Sequence, residues 1–165
     1  MAKSYDRIKN YTTSISVEKT ISELEKMLAK HDVTKIMKEY SGEGVPSTLV
    51  FAVKTAKGEI PIKLPCNVES ILQVFKDQVK EGKLPRKYAD QTGLNWATEQ
   101  AGRVAWRIIK DWLDAQLTLF EIGMVKMEEI FLPYIYDPVQ EMTVFQLMET
   151  GQLNIGNLLT EGGMR

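Results

Sequence analysis

The sequence predicts an α+β fold in which a small antiparallel sheet of three or four strands packs against one long, mostly apolar helix. Three observations predict this fold. Apolar residues recur at helical spacing from Val17 to Leu28, and β-forming stretches alternate with turn residues over 33–64. Residues 95–122 form a third pattern, a helix that is apolar on most of its circumference. The expected order is β-α-β-β-β-α, followed by a helical C-terminal segment.

The composition is typical of one intracellular globular domain. The chain has 165 residues, of which 44% are hydrophobic and 26% charged. A single cysteine, Cys66, is typical of a reducing compartment. The N-terminal residues lack the pattern of a signal peptide, and the apolar runs are too short to span a bilayer. We therefore expect a cytoplasmic protein without a membrane partner.

The domain is predicted to cover residues 1–150, and the glycine-containing residues 151–165 are predicted to form a flexible tail. Within the domain, residues 1–80 are expected to contain the sheet and residues 95–150 the helical part. The sequence shows no internal repeat that would favour a different organisation.

The first elements are a short strand over residues 8–13 and then an amphipathic helix. Ser16 is a favourable N-cap, and Glu18 lies in the first turn, where the helix dipole favours an anion. The apolar spacing ends near His31. Because a helix C-terminus favours a cation, we interpret His31, the only histidine, as a capping residue and not as a general base.

Three strands are predicted over residues 33–40, 48–55 and 59–64, with a turn at 41–46 and a short hairpin loop at 56–58. Pro61 has no N–H to donate to a ladder, so its strand is expected at a sheet edge or unpaired at that position. Asn67 is predicted to cap a second helix that ends at Gly82 and Pro85.

The long helix presents a charged arc of roughly 100° that contains Arg107, Lys110, Asp111 and Asp114. The spacing predicts i,i+4 ion pairs between Arg107 and Asp111 and between Lys110 and Asp114. The remaining surface is apolar, which requires that other elements cover the helix on two sides or more. Gly123 is expected to end it. Shorter helices are predicted over residues 124–132 and 141–149, separated by a turn at residues 137–138.

Charge is distributed unevenly along the chain. Residues 1–110 carry 19 basic and 13 acidic side chains, whereas residues 111–165 carry 2 basic and 9 acidic ones. The two parts can attract each other within one fold, or they can address different partners.

Catalytic and metal-binding patterns are weak. One cysteine and one histidine cannot form a structural zinc site, and no calcium loop or phosphate-binding glycine loop is present in the sequence. Cys66 precedes the N-cap Asn67, but no spacing indicates a partner base for it. We therefore expect no catalytic residue, no metal and no cofactor, and we interpret the protein as non-enzymatic.

Nucleic-acid binding is one hypothesis. The helix–strand–strand–strand–helix order is that of the double-stranded-RNA-binding domain, but the second helix begins Asn67-Val68-Glu69-Ser70, without the lysines which contact phosphates in that family. A basic loop beside aromatic residues remains a candidate for phosphate contact and stacking. The candidate residues are Lys80, Lys83, Arg86, Lys87, Arg103 and Arg107.

Protein interaction is the other hypothesis, and we favour it slightly because the long helix needs so much cover. The methionine-containing acidic segment after Gly123 is either core that covers this helix or a docking face. The candidate interface residues are Trp106, Trp112, Phe120, Met124, Met127 and Phe131. The partner would be a second copy of the chain or another protein.

Two stretches, YTTSISVEKTISELEKMLAKH and RVAWRIIKDWLDAQLTLFEIGM, resemble an uncharacterised family of small proteins of bacteriophages and mobile elements. The resemblance covers about a quarter of the chain and implies no catalytic or binding residue. It implies phage-type roles, either in nucleic-acid metabolism or in interference with a host system.

Overall fold

The computed structural model describes residues 6–41, 46–90 and 96–153. It confirms the α+β class and the long helix. The helices are α1 (Val17–Ala29), α2 (Val68–Lys80), α3 (Trp96–Glu121), α4 (Met127–Phe131) and α5 (Val144–Glu149). The strands are β1 (Val33–Tyr40), β2 (Pro46–Thr55), β3 (Gly58–Lys63), β4 (Tyr136–Asp137) and β5 (Met142–Thr143), and short 3₁₀ turns lie at Arg86–Tyr88 and Leu132–Tyr134. Within these described ranges, no helix has both the length and the hydropathy of a membrane span.

The main sheet is antiparallel with the strand order β1-β2-β3. Gly58 has a φ of 115° at the tight turn between β2 and β3, a conformation that favours glycine. Pro61 lies opposite Ala52 on β3, which is an edge strand of this sheet, as predicted. The turn predicted at 41–46 falls mostly on residues 42–45, which lie outside the described residues.

One face of the sheet forms the main core with α1, α3 and α4. Leu49, Phe51 and Val53 alternate along β2 and are almost fully buried. They pack in one cluster with Leu24 of α1 and Leu113 of α3. Phe51 also meets Phe131 of α4 edge-to-face, with their ring centroids 5.3 Å apart. The short α4 is therefore held by the sheet.

Helices α1 and α3 run parallel, side by side. The Ser16 side chain accepts a hydrogen bond from the Lys19 N–H and caps α1, as the sequence predicted. Glu23 in the middle of α1 pairs with Arg107 in the middle of α3. Beyond the end of α1, His31 contacts Glu121, the last residue of α3. The predicted Arg107–Asp111 pair is therefore wrong, because Arg107 has a partner on the neighbouring helix.

Helix α3 is covered on two sides over its N-terminal half, as its apolar circumference requires. Trp106 faces the main core, is fully buried, and donates its indole N–H to the Pro46 carbonyl oxygen at 3.0 Å. Ala101 and Val104 face a second cluster that includes Phe75 of α2. Since both clusters contact one helix, α3 joins the sheet layer to α2.

The prediction of a strand over residues 8–13 is wrong, because residues 9–12 form turns. Their backbone groups are satisfied by hydrogen bonds within the turns and by distant side chains, and not by a ladder. Gln78 accepts a hydrogen bond from the Ile8 N–H at 3.2 Å, and Gln100 donates to the carbonyl oxygens of Tyr11 and Thr13 at 2.9 Å each. Both glutamines are buried, at 4% and 3% exposure. The N-terminal segment is thus tied to α2 and α3.

The C-terminal segment is helical but more divided than the sequence predicts. Helix α4 is only five residues long, and the predicted turn at 137–138 lies in a small hairpin formed by β4 and β5. Ile135, just before this hairpin, forms a bridge with Ile62 on the outer edge of β3. Helix α5 begins with a capping box between Thr143 and Gln146. The predicted flexible tail begins at 151, and its residues 154–165 lie outside the described residues.

Candidate functional site

His31 is held by hydrogen bonds in the fold, and the Cys66 thiol is largely buried. The Nδ1 atom of His31 lies 2.6 Å from the Met27 carbonyl oxygen and its Nε2 atom lies 2.8 Å from Glu121, so both ring nitrogens are engaged. Burial raises the pKa of the Cys66 thiol to about 12, so the thiol is neutral near neutral pH. Among the residues described, no three His, Cys, Asp or Glu side chains are arranged to hold a metal ion.

The basic residues predicted to bind nucleic acid are only partly free. Arg103 pairs with Glu99 at 3.6 Å, Arg107 pairs with Glu23, and Lys83 pairs with Glu81 at 2.9 Å. The exposed side chains of Lys80 and Arg86 have no ion-pair partner in the described ranges. The arrangement therefore offers fewer unpaired cations than the sequence suggests.

Lys87, the remaining basic candidate, belongs to an aromatic cluster. Its Nζ atom lies 4.4 Å from the centroid of Trp96, a side chain that is 36% exposed. Trp96 meets Tyr88 edge-to-face at 4.9 Å, and Tyr88 meets Phe75 in the same way at 4.9 Å. Burial and the neighbouring Tyr11 raise the pKa of Tyr88. Because Lys87 covers a face of the Trp96 ring, a base would have to displace it in order to stack there.

The residues predicted to form a protein interface divide into buried and accessible groups. Trp106, Met127 and Phe131 are at most 6% exposed and belong to the main core, so they are not available to a partner in this fold. Trp112 and Phe120 are half-buried at the core margin. Met124 is 69% exposed. The accessible part of the predicted interface therefore lies at the C-terminal end of α3.

At that end, α3 carries an apolar stripe that other elements leave partly uncovered. Trp112, Ala115, Leu119 and Ile122 recur at spacings of three and four residues, so the first three share one face of α3 and Ile122, directly after its end, continues that line. Ala115 and Ile122 are exposed, Ile122 at 63%, whereas Trp112 and Leu119 are half-buried. We call these four residues the α3 stripe. In the sequence, Ala115, Leu119 and Ile122 are part of the apolar surface that needs cover, and no local signal distinguishes them.

The α3 stripe adjoins the C-terminal segment. Trp112 meets Tyr134 edge-to-face with centroids 5.5 Å apart. The 3₁₀ turn that contains Tyr134 also carries Leu132, which is 55% exposed, and this turn packs against α5, where Phe145 is 50% exposed. Six of the nine large exposed hydrophobic side chains in the described ranges lie between Ile122 and Leu153, so apolar exposure is concentrated here.

The same region is strongly acidic. From Asp111 to Leu153 the sequence has eight carboxylates and only one basic side chain, Lys126. Some of these acids contact the basic part of the fold, as in the Lys9–Asp111 and Lys110–Asp114 pairs. Other carboxylates have no ion-pair partner among the residues the structure describes, namely Glu128, Glu129, Glu141 and Glu149. Ion pairs between residues 1–110 and residues 111–165 thus involve only some of these carboxylates.

Comparisons with known proteins assign no family. No protein-family model matches the chain, and no match is found among curated proteins or solved structures. Geometry and chemistry therefore remain the grounds on which a function is proposed.

Proposed function

We propose that this protein is a non-enzymatic interaction protein that binds an amphipathic, basic helix of another protein along the α3 stripe. The observation that carries the proposal is the incomplete cover of α3. Its N-terminal half lies between two apolar clusters, whereas Ala115 on its C-terminal half and Ile122 directly after its end are exposed. Exposed apolar surface arranged with helical spacing is the kind of surface to which a partner helix binds.

The spacing of the stripe favours a helix as the ligand. The stripe has alternating spacings of three and four residues, which are those of the first and fourth positions of a seven-residue repeat. This is the pattern that packs against a second helix. Asp114 and Glu121 lie on the exposed surface of the same half of α3, with side-chain exposures of 60% and 61%. Basic side chains at the margins of the ligand would complement them.

The biological setting is a further part of this proposal. The two segments that resemble bacteriophage proteins support a host or phage protein as the partner. The single cysteine, Cys66, supports a cytoplasmic setting. The proposed binding of a basic helix to the α3 stripe depends neither on the origin of the partner nor on the cellular location.

A designed peptide tests the proposal. The probe is a fluorescently labelled helix with leucines in a seven-residue repeat and lysines beside them, and the control peptide has the same composition in scrambled order. Fluorescence anisotropy should detect binding of the helical peptide alone. Leu119→Glu should weaken that binding about tenfold or more, since it places a charge at the centre of the contact.

The matched control is Val139→Glu, since Val139 is 89% exposed and lies in the small C-terminal hairpin loop. It adds the same charge without changing the α3 stripe, and its affinity should equal that of the wild type. Equal affinities for Leu119→Glu and Val139→Glu, or equal binding of both peptides, would count against the proposal.

Nucleic-acid binding is the alternative, and Lys87 with the partly exposed Trp96 is the observation that favours it. It ranks second because Arg103 and Arg107 already have carboxylate partners. A salt-dependent gel retardation assay with single- and double-stranded probes tests it. Retardation that is lost in the Lys87→Ala variant would support the alternative, and its absence at low salt would exclude it.

A further inference from the structure

Strand β1 has an open edge. It is eight residues long and lies at one side of the main sheet, and no strand in the described ranges pairs with its outer side. The other edge strand, β3, is bridged by Ile135. Met37 and Tyr40 of β1 are large hydrophobic side chains with 53% and 58% exposure. An open edge of this kind presents unpaired backbone N–H and C=O groups, which form a template for a further strand.

The regular part of β1 is centred on Met37. The pairing of β1 with β2 is continuous from Lys35, opposite Ala52, to Glu39, opposite Thr48. Register irregularities occur immediately before Lys35 and immediately after Glu39. Regular β geometry is thus confined to the five residues 35–39, and only this window can accept a flat, in-register partner strand.

We propose that β1 pairs with β1 of a second copy of this chain, antiparallel and centred on Met37, to form a six-stranded sheet across a twofold axis. In this register, Met37 faces Met37 of the second copy, and Lys35 of each copy lies opposite Glu39 of the other. The window is therefore self-complementary in charge, and its central position is apolar. A twofold axis requires such self-complementarity, because both copies contribute the same surface patch to the interface.

The side chains involved lie on one face of the sheet. Residues 35, 37 and 39 alternate with Ile36, which packs against the main core, so they point to the opposite face. On that outer face, Lys35 pairs with Glu59 at 3.0 Å and Glu39 pairs with Lys63 at 3.5 Å. Pairing of two copies extends these contacts into a row of alternating charges.

Lysines on an edge strand commonly prevent such pairing, because an uncompensated charge would be brought against the neighbouring strand. In this chain the two lysines of the window are compensated within the protomer. Lys35 pairs with Glu59, and Lys38 pairs with Glu25 of α1 at 2.8 Å. The edge is therefore less protected than the number of its lysines suggests, and the contact is independent of the α3 stripe.

Charge reversal tests the pairing. Mass in solution is measured by light scattering or sedimentation, over roughly 1–300 µM protomer. The wild type should form dimers. Lys35→Glu places two pairs of acidic side chains opposite each other, and Glu39→Lys places two pairs of lysines opposite each other. The dissociation constant of each variant dimer should therefore rise about tenfold or more. Lys57→Glu, at the exposed β2–β3 turn, is the matched control and should dimerise like the wild type.

Mixing the two single variants makes the test specific. A Lys35→Glu protomer and a Glu39→Lys protomer are complementary at both positions, so an equimolar mixture should restore a heterodimer although each variant alone is monomeric. A restored heterodimer also shows that neither variant is monomeric because it fails to fold. The circular dichroism spectrum of each variant alone, which should match that of the wild type, checks folding independently. A monomeric wild type over the whole range would overturn the proposal, as would dimers unaffected by either substitution, or a mixture that stays monomeric.

Discussion

His31 and Glu121 join the C-terminal ends of the two parallel helices α1 and α3, with the His31 Nε2 atom 2.8 Å from a Glu121 carboxylate oxygen. The other ring nitrogen lies 2.6 Å from the Met27 carbonyl oxygen. Oxygen atoms of α1 and α3 therefore hold the ring from both sides. The histidine thus fastens α1 to α3.

We predict that His31→Ala lowers the free energy of unfolding by about 1–2 kcal/mol, because it removes two hydrogen bonds and the contact of the ring with Phe120. Urea denaturation at neutral pH measures the change. Glu121→Gln is the control, since the side chain is 61% exposed and an amide can still bond the ring. It should cost less than about 0.5 kcal/mol. Equal losses in the two variants would show that the ring has no separate role.

The buried Gln100 is predicted to hold the N-terminal segment. Gln100→Leu removes the donor to the Thr13 carbonyl oxygen and one of the two donors to the Tyr11 carbonyl oxygen, which the Tyr88 hydroxyl still bonds, and this should cost about 1–3 kcal/mol. Hydrogen exchange should also become faster for the backbone amides around residues 11–15. Gln73→Leu, on the exposed side of α2, should change neither quantity much. Unchanged exchange in Gln100→Leu would contradict this role.

Asp111 is predicted to make the stability depend on acid pH. Burial raises the pKa of its carboxyl group. The hydrogen bond from Asn10 and the ion pair with Lys9 together lower this pKa by more than burial raises it, so the pKa lies below its ordinary value of 3.8. A depressed folded-state pKa stabilises the fold above the unfolded-state pKa, and this contribution is lost as the pH falls through the folded-state pKa.

Asp111→Asn should therefore cost about 0.5–1 kcal/mol at neutral pH, and the difference from the wild type should shrink between about pH 5 and about pH 2. Urea denaturation at a series of pH values measures it. Asp114→Asn, which affects only an exposed pair with Lys110, serves as the control and should show a smaller difference. A difference for Asp111→Asn that is constant with pH would refute the assignment.

The Cys66 thiol is predicted to be inert in the folded protein. With its pKa raised from 9.0 to about 12, the thiolate fraction at pH 8 falls about a thousandfold. Alkylation by iodoacetamide, followed by mass spectrometry, should be slow in native buffer and fast in denaturant. The native rate should continue to rise with pH beyond 9 while the protein stays folded. Rapid native labelling at pH 8 would show that the thiol is accessible and more acidic.

Local signals explain which elements could be predicted from the sequence. The caps Ser16 and Asn67 each accept a backbone N–H three residues later, and Gly123 takes up a φ of 75° after α3. The Gly58 turn likewise fixes the β2–β3 hairpin. In each case the residues that determine the structure are neighbours in the chain, so their spacing is readable in the sequence.

Distant partners explain the errors. The segment over residues 8–13 has the alternation of a strand, but its hydrogen bonds go to Gln78, Gln100 and Tyr88, which lie about 70 residues or more away in the chain. The hairpin of β4 and β5 has only two residues in each strand, too few for a periodic pattern. Nothing in the local spacing indicates either arrangement.

The candidate site shows the same limit. The sequence indicated that α3 is apolar nearly all round, and it correctly required cover from more than one side. It could not show that Trp106 lies in the core while Ile122 is exposed, because this depends on where α1, α2 and α4 end against α3. The α3 stripe became visible only with the tertiary structure.

The central claim is that the α3 stripe is the surface on which a basic helix docks. The three tryptophans report separate regions: Trp112 lies in the stripe, Trp106 in the core and Trp96 in the basic aromatic cluster. Titration of the designed basic peptide into ¹⁵N-labelled protein, followed through the three indole N–H resonances, tests the claim most directly. The Trp112 resonance should shift with saturation while those of Trp106 and Trp96 stay in place. A saturable shift confined to Trp96, or no shift at Trp112, would contradict it.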